Sequence, residues 1–211
     1  MTAKLEVTIN DWNDGDVIPD KHAFCIPAEE NHVTLGENIS PAISWSGAPD
    51  GTASYAIVCH DPDVPQDLST LNNEESSIPV DAPRFTLYHW VLADIPGSIT
   101  SLGEGAESQG IQPGGKDAGK TDHGVRGLNG YTEWFAADEK MKGNYGGYDG
   151  PCPPWNDDKL HHYHFTVYAL DIINLDLGDN FKGPELESAM QGHILAKGEY
   201  VGTYSLNPKL R

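Results

Sequence analysis

The stretch Ser54-Tyr55-Ala56-Ile57-Val58-Cys59-His60-Asp61-Pro62-Asp63-Val64-Pro65 decides how the rest of the chain is read. Tyr55, Ile57 and Cys59 fall on one side at a period of two, and Ala56 and Val58 fall on the other. Both sides are apolar, so this is a central strand covered on both faces. The run ends in two carboxylates set between prolines. Proline cannot donate to a strand ladder, so the strand is expected to stop at Asp61. A polar segment leaving a buried strand is costly unless it serves a turn or a site.

Two further segments have the same character. Phe85 to Ile95 reads as a strand with Tyr88-His89-Trp90 inside it, closed by Pro96-Gly97. A strict period of two groups His89 with Leu87 and Val91, opposite Tyr88 and Trp90. Gly147-Tyr148-Asp149-Gly150-Pro151-Cys152-Pro153-Pro154 is a stiff loop, and Leu160-His161-His162-Tyr163-His164-Phe165 opens the next strand. Each could be a plain turn or a satisfied strand residue. Taken together, they place carboxylates, imidazoles and a proline loop at strand edges, which points to one small polar pocket.

Outward from these segments, Leu5 to Ile9 and Ala42 to Trp45 alternate as strands. Tyr163 to Leu170 puts Tyr163, Phe165, Val167 and Ala169 on one face, and Tyr200 to Tyr204 is a last strand. Pro184 to Met190 reads as a short helix with Gly192 beyond its end. Residues 66–83 read as an exposed loop. Residues 103–147 hold twelve glycines and no sustained period. A structureless stretch of that length is suspect as an inert loop. Strands following turns without long helices favour a mainly β, antiparallel fold. The length of 211 residues suits one domain spanning 1–211.

The chain carries 13 Lys and Arg against 32 Asp and Glu, a formal charge of -19. Such a surface repels nucleic acid and anionic lipid, so neither is expected as a partner. No stretch approaches a membrane span and no targeting segment is visible, which together predict a cytoplasmic protein without integral membrane association. The three cysteines, Cys25, Cys59 and Cys152, lack metal-ligand spacing and are expected to be reduced.

The histidine triplet invites a metal reading. In a strand, however, His162 and His164 share one face and His161 and Tyr163 the other, so no face offers three histidines. A zinc site would need a ligand from elsewhere, such as His89 or Asp61, and no metal or cofactor is expected. No G-x-S-x-G elbow occurs. An enzyme reading would rest on Asp61 and His89 as a general-base pair, metal-assisted or not, acting on phosphoesters or esters.

These residues resemble the phosphatidylethanolamine-binding protein family, in its bacterial and archaeal Raf-kinase-inhibitor-like branch. Tyr55 to Pro65 is similar to its strand and D-P-D-x-P motif, and His89 to its strand histidine. Tyr148 to Pro154 with His161-His162-Tyr163 resembles its Y-x-G-P-x-P-P and H-R-Y region. Gly192-His193-Ile194-Leu195-Ala196, Gly202-Thr203-Tyr204 and Asn38 to Pro41 before Trp45 extend the likeness along nearly the whole chain. The resemblance implies a large central antiparallel sheet, a smaller second sheet and few peripheral helices. It implies a pocket for phosphate, other anions or the phosphoryl head of a lipid, bounded by Asp61, His89, Gly150, Cys152, Pro153, His161 and Tyr163. Asp63, Pro65, Tyr148 and Pro154 would support it. It further implies a non-catalytic binding role that modulates kinases or proteases, and it allows a homodimer. Two departures stand out: His162 replaces the family's arginine, and Leu87 replaces a tryptophan.

Overall fold

The computed structural model describes residues 3–211. The strands in chain order are β1 (Ala3–Lys4), β2 (Glu6–Ile9), β3 (Cys25–Pro27), β4 (Val33–Leu35), β5 (Ile43–Ser46) and β6 (Ser54–Pro65). They continue as β7 (Arg84–Pro96), β8 (Ser101–Leu102), β9 (Gly119–Thr121), β10 (Gly124–Arg126), β11 (His161–Leu170) and β12 (Ile194–Tyr204). The two α-helices are α1 (Tyr131–Trp134) and α2 (Gly183–Ala189).

Seven strands form the large sheet, in the order β1-β12-β11-β6-β7-β10-β9. Its neighbours are antiparallel except β1 and β12, which run parallel. The sheet is therefore mixed at one edge, where a wholly antiparallel one was expected. A three-stranded sheet β2-β5-β8 and a two-stranded sheet β3-β4 lie apart from it.

Strands β6 and β11 are buried on both faces, as the apolar runs dictate. One face carries Tyr55, Ile57, Cys59, Trp90, Phe165 and Val167 into the larger core cluster. The opposite face carries Ala56, Val58, Val91 and Ala93 against Phe181, Leu186 and Met190. Helix α2 supplies Leu186, and Met190 follows directly at its C-terminal end. The helix begins with proline in its first turn, and the Glu185 carboxylate accepts from the Lys182 N–H at 2.7 Å.

Two expectations about the central strands are corrected. Strand β6 does not stop at Asp61 but runs on to Pro65. Asp61 pairs with Leu87 and Val64 with Phe85, so β6 spends one extra residue there in a bulge. A bulge is where a strand tolerates proline. On β7, Cys59 pairs with Trp90 and His60 with Tyr88, which leaves His89 as an extra residue. The bulge resets the alternation. His89 and Trp90 both reach the larger core's side, His89 packing edge-on against Tyr163 at 5.1 Å, while Val91 joins the opposite cluster. The strict period of two holds for Leu87, Tyr88 and His89 and fails beyond the bulge, for Trp90 and Val91.

The glycine-rich stretch 103–147 is not structureless, since it contains β9, β10 and α1. Its Glu107, Ser108, Leu128, Asn129, Tyr131 and Tyr145 are buried.

The cysteines require another correction. Cys25 and Cys152 form a disulfide across 127 residues, and Cys59 alone is free, buried in the sheet. Spacing along a sequence does not reveal a pair brought together by the fold. No helix among the described residues is long and apolar enough to cross a membrane.

Candidate functional site

A cleft opens where the bulges of β6 and β7 meet the start of β11. It is lined by Asp61, Val64, Leu87, His89, Tyr131, Trp134, Cys152, Pro153, Pro154, His161 and Tyr163. The cavity measures about 30 Å³, against the roughly 10–15 Å³ one water requires. Among the sequence candidates, Asp61, His89, Cys152, Pro153, His161 and Tyr163 line it, together with the supporting Pro154. Gly150, Asp63, Pro65 and Tyr148 are buried and are not among its lining residues.

The 147–154 loop is fixed by groups far off in sequence. The Asp149 carboxylate accepts from Asn38 Nδ2 (2.8 Å), Asn129 Nδ2 (2.8 Å) and Lys116 Nζ (2.7 Å). Asn38 Oδ1 accepts from the Gly150 N–H at 2.8 Å, and the Gly150 carbonyl accepts from Tyr131 Oη at 2.7 Å. The N–H of Gly150, a residue expected to bound the pocket, is therefore already used. The Pro151 carbonyl accepts from the N–H groups of Phe24 and Cys25. The Tyr148 hydroxyl donates to the His22 carbonyl at 2.8 Å. A β-carbon at Gly150 would collide with that same carbonyl, so glycine is required by close approach. Cys152 is tied to β3 by the disulfide, so its sulfur offers no thiol to the cleft.

His89 is 2% exposed. Its Nδ1 lies 2.8 Å from the Asp149 carbonyl oxygen, which can only accept, so Nδ1 carries a proton. Nε2 is buried and has no hydrogen-bond partner. Burial holds the His89 pKa below the ordinary histidine value, against the pull of Asp61 and of the Asp149 carbonyl. At neutral pH the ring thus presents Nε2 as an acceptor.

His161 behaves in the opposite way. Nδ1 meets Asp61 Oδ2 at 2.7 Å and Nε2 meets Asp157 Oδ2 at 3.1 Å. Burial opposes its charge, but Asp61 and Asp157 outweigh burial and raise the pKa to about 9. Asp157 also receives both terminal nitrogens of Arg84. Burial alone would lift the Asp157 carboxyl; hydrogen bonds from His161 and Arg84 hold it below the usual range. The series Asp61, His161, Asp157, Arg84 alternates in charge and nearly balances. Both ring nitrogens of His161 are occupied, so it positions Asp61 and does not reach a ligand as expected.

The Asp61 and His89 general-base pair does not form, since the imidazole hydrogen bond to Asp61 comes from His161 and His89 turns to Asp149. Asp61 Oδ1 accepts from the Asp63 N–H at 2.7 Å, bracing the bulge. Asp63 Oδ2 accepts from His162 twice, from its N–H at 3.0 Å and from Nδ1 at 2.8 Å. Histidine at 162 thus keeps a bond to Asp63, with Lys159 Nζ adding a cation 3.4 Å away.

Sequence reasoning missed Asn38, Asn129, Tyr131, Trp134, Asp157 and Arg84. Asn38 lies in the noted Asn-Ile-Ser-Pro segment, so a signal existed there. The others sit in loops, at a strand start or, for Tyr131 and Trp134, in the single-turn helix α1, too short for a periodicity to mark them.

Comparison with known proteins gives the family of the fold. The phosphatidylethanolamine-binding protein family model matches residues 8–205. A UPF0098 protein of Methanothermobacter thermautotrophicus is 33% identical over 169 residues, covering 80% of this chain and 84% of its own. YbcL of Escherichia coli is 28% identical over 207 residues, covering 98% of this chain and 90% of its own. A crystal structure of YbcL, described as a member of the mammalian PEBP family, superposes with a TM-score of 0.67 at 26% identity, over 96% of this chain and 99% of that one. A phosphatidylethanolamine-binding protein homologue from Chlamydia trachomatis gives a TM-score of 0.63 at 26% identity, over 97% and 99%. The chain belongs to the phosphatidylethanolamine-binding protein family.

Proposed function

We propose that the chain is a non-catalytic binding protein whose cleft takes a small phosphoryl or similar oxyanion group. The observation that carries this reading is the unpartnered, buried Nε2 of His89 on the wall of the cleft. A buried polar atom without a partner costs free energy that a ligand can recover. A protonated phosphoryl oxygen donates to neutral Nε2; a dianion binds when His89 takes up a proton and donates instead. Tyr163 supplies a hydroxyl. Burial, then Asp61, push its phenol well above the ordinary tyrosine value, so it remains a neutral donor. The Cys152 backbone N–H completes the set.

The near-balanced charges of Asp61, His161, Asp157 and Arg84 mean that recognition rests on hydrogen bonds at short range. A cavity of about 30 Å³ suits the phosphoryl group alone and leaves the remainder of the ligand outside. That remainder could be a lipid head or a phosphorylated or acidic side chain of a kinase or protease. The disulfide favours an oxidising compartment over the cytoplasm expected from the sequence.

Calorimetric titration with phosphorylethanolamine at pH 6 and pH 8, on wild type and His89→Ala, tests this reading. Saturable binding that tightens at pH 6 and is weakened about ten- to a hundredfold in the variant is the expected result. Equal affinity in the two proteins would overturn it.

A further inference from the structure

The three neighbouring histidines at the start of β11 part company in the fold. His161 enters the cleft and His162 is held by Asp63. His164 turns to the opposite face of the sheet, where it is the direct cross-strand partner of His60 on β6. Their rings lie nearly parallel, 14° apart, with centroids separated by 5.2 Å. Glu199 on β12 brings Oε2 to 3.3 Å from His164 Nδ1. His60 Nδ1 is buried and has no hydrogen-bond partner.

The geometry points to a binding site for a borderline transition-metal dication, of the Zn²⁺, Ni²⁺ or Cu²⁺ class, held by His60, His164 and Glu199. Imidazole with one carboxylate is a donor set these ions favour. An ion about 2.0–2.1 Å from one nitrogen of each ring holds two imidazole centroids roughly 5 Å apart, close to the separation seen. Directly opposed residues of an antiparallel pair have β-carbons about 5 Å apart, so the backbone needs no change. The terminal ring torsion of histidine is soft, and turning the near-parallel planes about it aims both nitrogens at a shared point. Ligation would give His60 Nδ1 or its flipped counterpart the partner it lacks.

Among the described residues, the donor atoms that already lie together, within 4.8 Å of one another, are those of Asp11, His22 and Glu104, whereas the His60 and His164 rings must turn to converge. The Lys21 ammonium already bridges the two carboxylates, 3.1 Å from Asp11 and 2.6 Å from Glu104, and both His22 nitrogens are hydrogen-bonded. That group serves as the competing location.

The test is a calorimetric titration of the untagged protein with Zn²⁺ alone, repeated with Ni²⁺, in a non-chelating buffer free of phosphate. Four variants run in parallel: His60→Asn, His164→Gln, His162→Gln and Asp11→Asn, each checked for folding by thermal melting. One equivalent should bind wild type. His164→Gln, on a half-buried side chain, should weaken binding roughly ten- to a hundredfold, at least what loss of an outer partner of a metal ligand costs. His60→Asn should do the same, and His162→Gln and Asp11→Asn should not. No saturable binding to wild type would overturn the site, as would unchanged affinity in His164→Gln or loss confined to Asp11→Asn. The phosphoryl cleft contributes no ligand, so this result stands independently of the proposed function.

Discussion

His89 and Asp149, sixty residues apart, are joined twice. The imidazole Nδ1–H donates to the Asp149 carbonyl at 2.8 Å, and the Asp149 N–H donates back to the His89 carbonyl at 2.9 Å. The double link fixes the ring's tautomer and ties the β7 bulge to the loop that walls the cleft. His89→Ala should therefore have two effects. Affinity for phosphorylethanolamine should fall about ten- to a hundredfold, the value of roughly 1.5–3 kcal/mol of charge-assisted bonding. Stability should fall by about 1–3 kcal/mol, because a buried carbonyl loses its partner. Calorimetry and a denaturant melt read the two separately.

Asp149 holds Asn38, Asn129 and Lys116 at once, and Lys116 is only 9% exposed at its side chain. Asp149→Ala strands a buried cation and two amides. The expected cost is about 3–5 kcal/mol, or a melting temperature lower by roughly 10 °C in a chain of this length. A drop under about 3 °C would show the loop to be held by other means.

The titration of His161 sets a pH window for stability. Its folded pKa is raised to about 9, against roughly 6.5 in the unfolded chain. The folded state binds the proton more tightly, so this contribution is complete below about pH 6.5 and is lost as pH rises through 9. Wild type should lose stability between pH 7 and 9, and His161→Gln should be flatter over that window. Nuclear magnetic resonance of the His161 ring should place its midpoint near 9; a midpoint near 6.5 would contradict the Asp61 and Asp157 pairing.

Reduction of Cys25–Cys152 opens a loop of 127 residues. On the chain-entropy account, that cross-link is worth on the order of 4–5 kcal/mol. Melting with and without dithiothreitol should differ strongly, and Cys152→Ser should match the reduced protein under both conditions. Identical melts for oxidised and reduced wild type would mean that the bridge adds nothing to stability.

Ligand binding should depend little on salt. Asp61 and Asp157 are each matched by a buried cation, so the cleft offers no uncompensated charge for ions to screen. Phosphorylethanolamine affinity measured at about 0.05 M and 0.5 M sodium chloride should differ by less than roughly threefold. A tenfold fall would show that net charge drives recognition.

The sequence by itself determined the central strands, the antiparallel character of most of the sheet and the short helix α2. Those follow from local periodicity and from proline and glycine punctuation, which act within a few residues. It also brought forward Asp61, His89, His161 and Tyr163, since polar groups inside apolar runs are conspicuous. Only the tertiary structure decided what those groups do. A bulge of one residue put Trp90 on the same side as His89, and no pattern of period two can foresee an insertion set by pairing with another strand. His161 lost its expected role because Asp157 occupies the second nitrogen and Arg84 anchors Asp157, contacts that depend on the path of loops. Cys25 met Cys152, and His164 met His60, for the same reason: partners more than a hundred residues apart are chosen by how the sheet closes, and the chain near either residue carries no mark of the other.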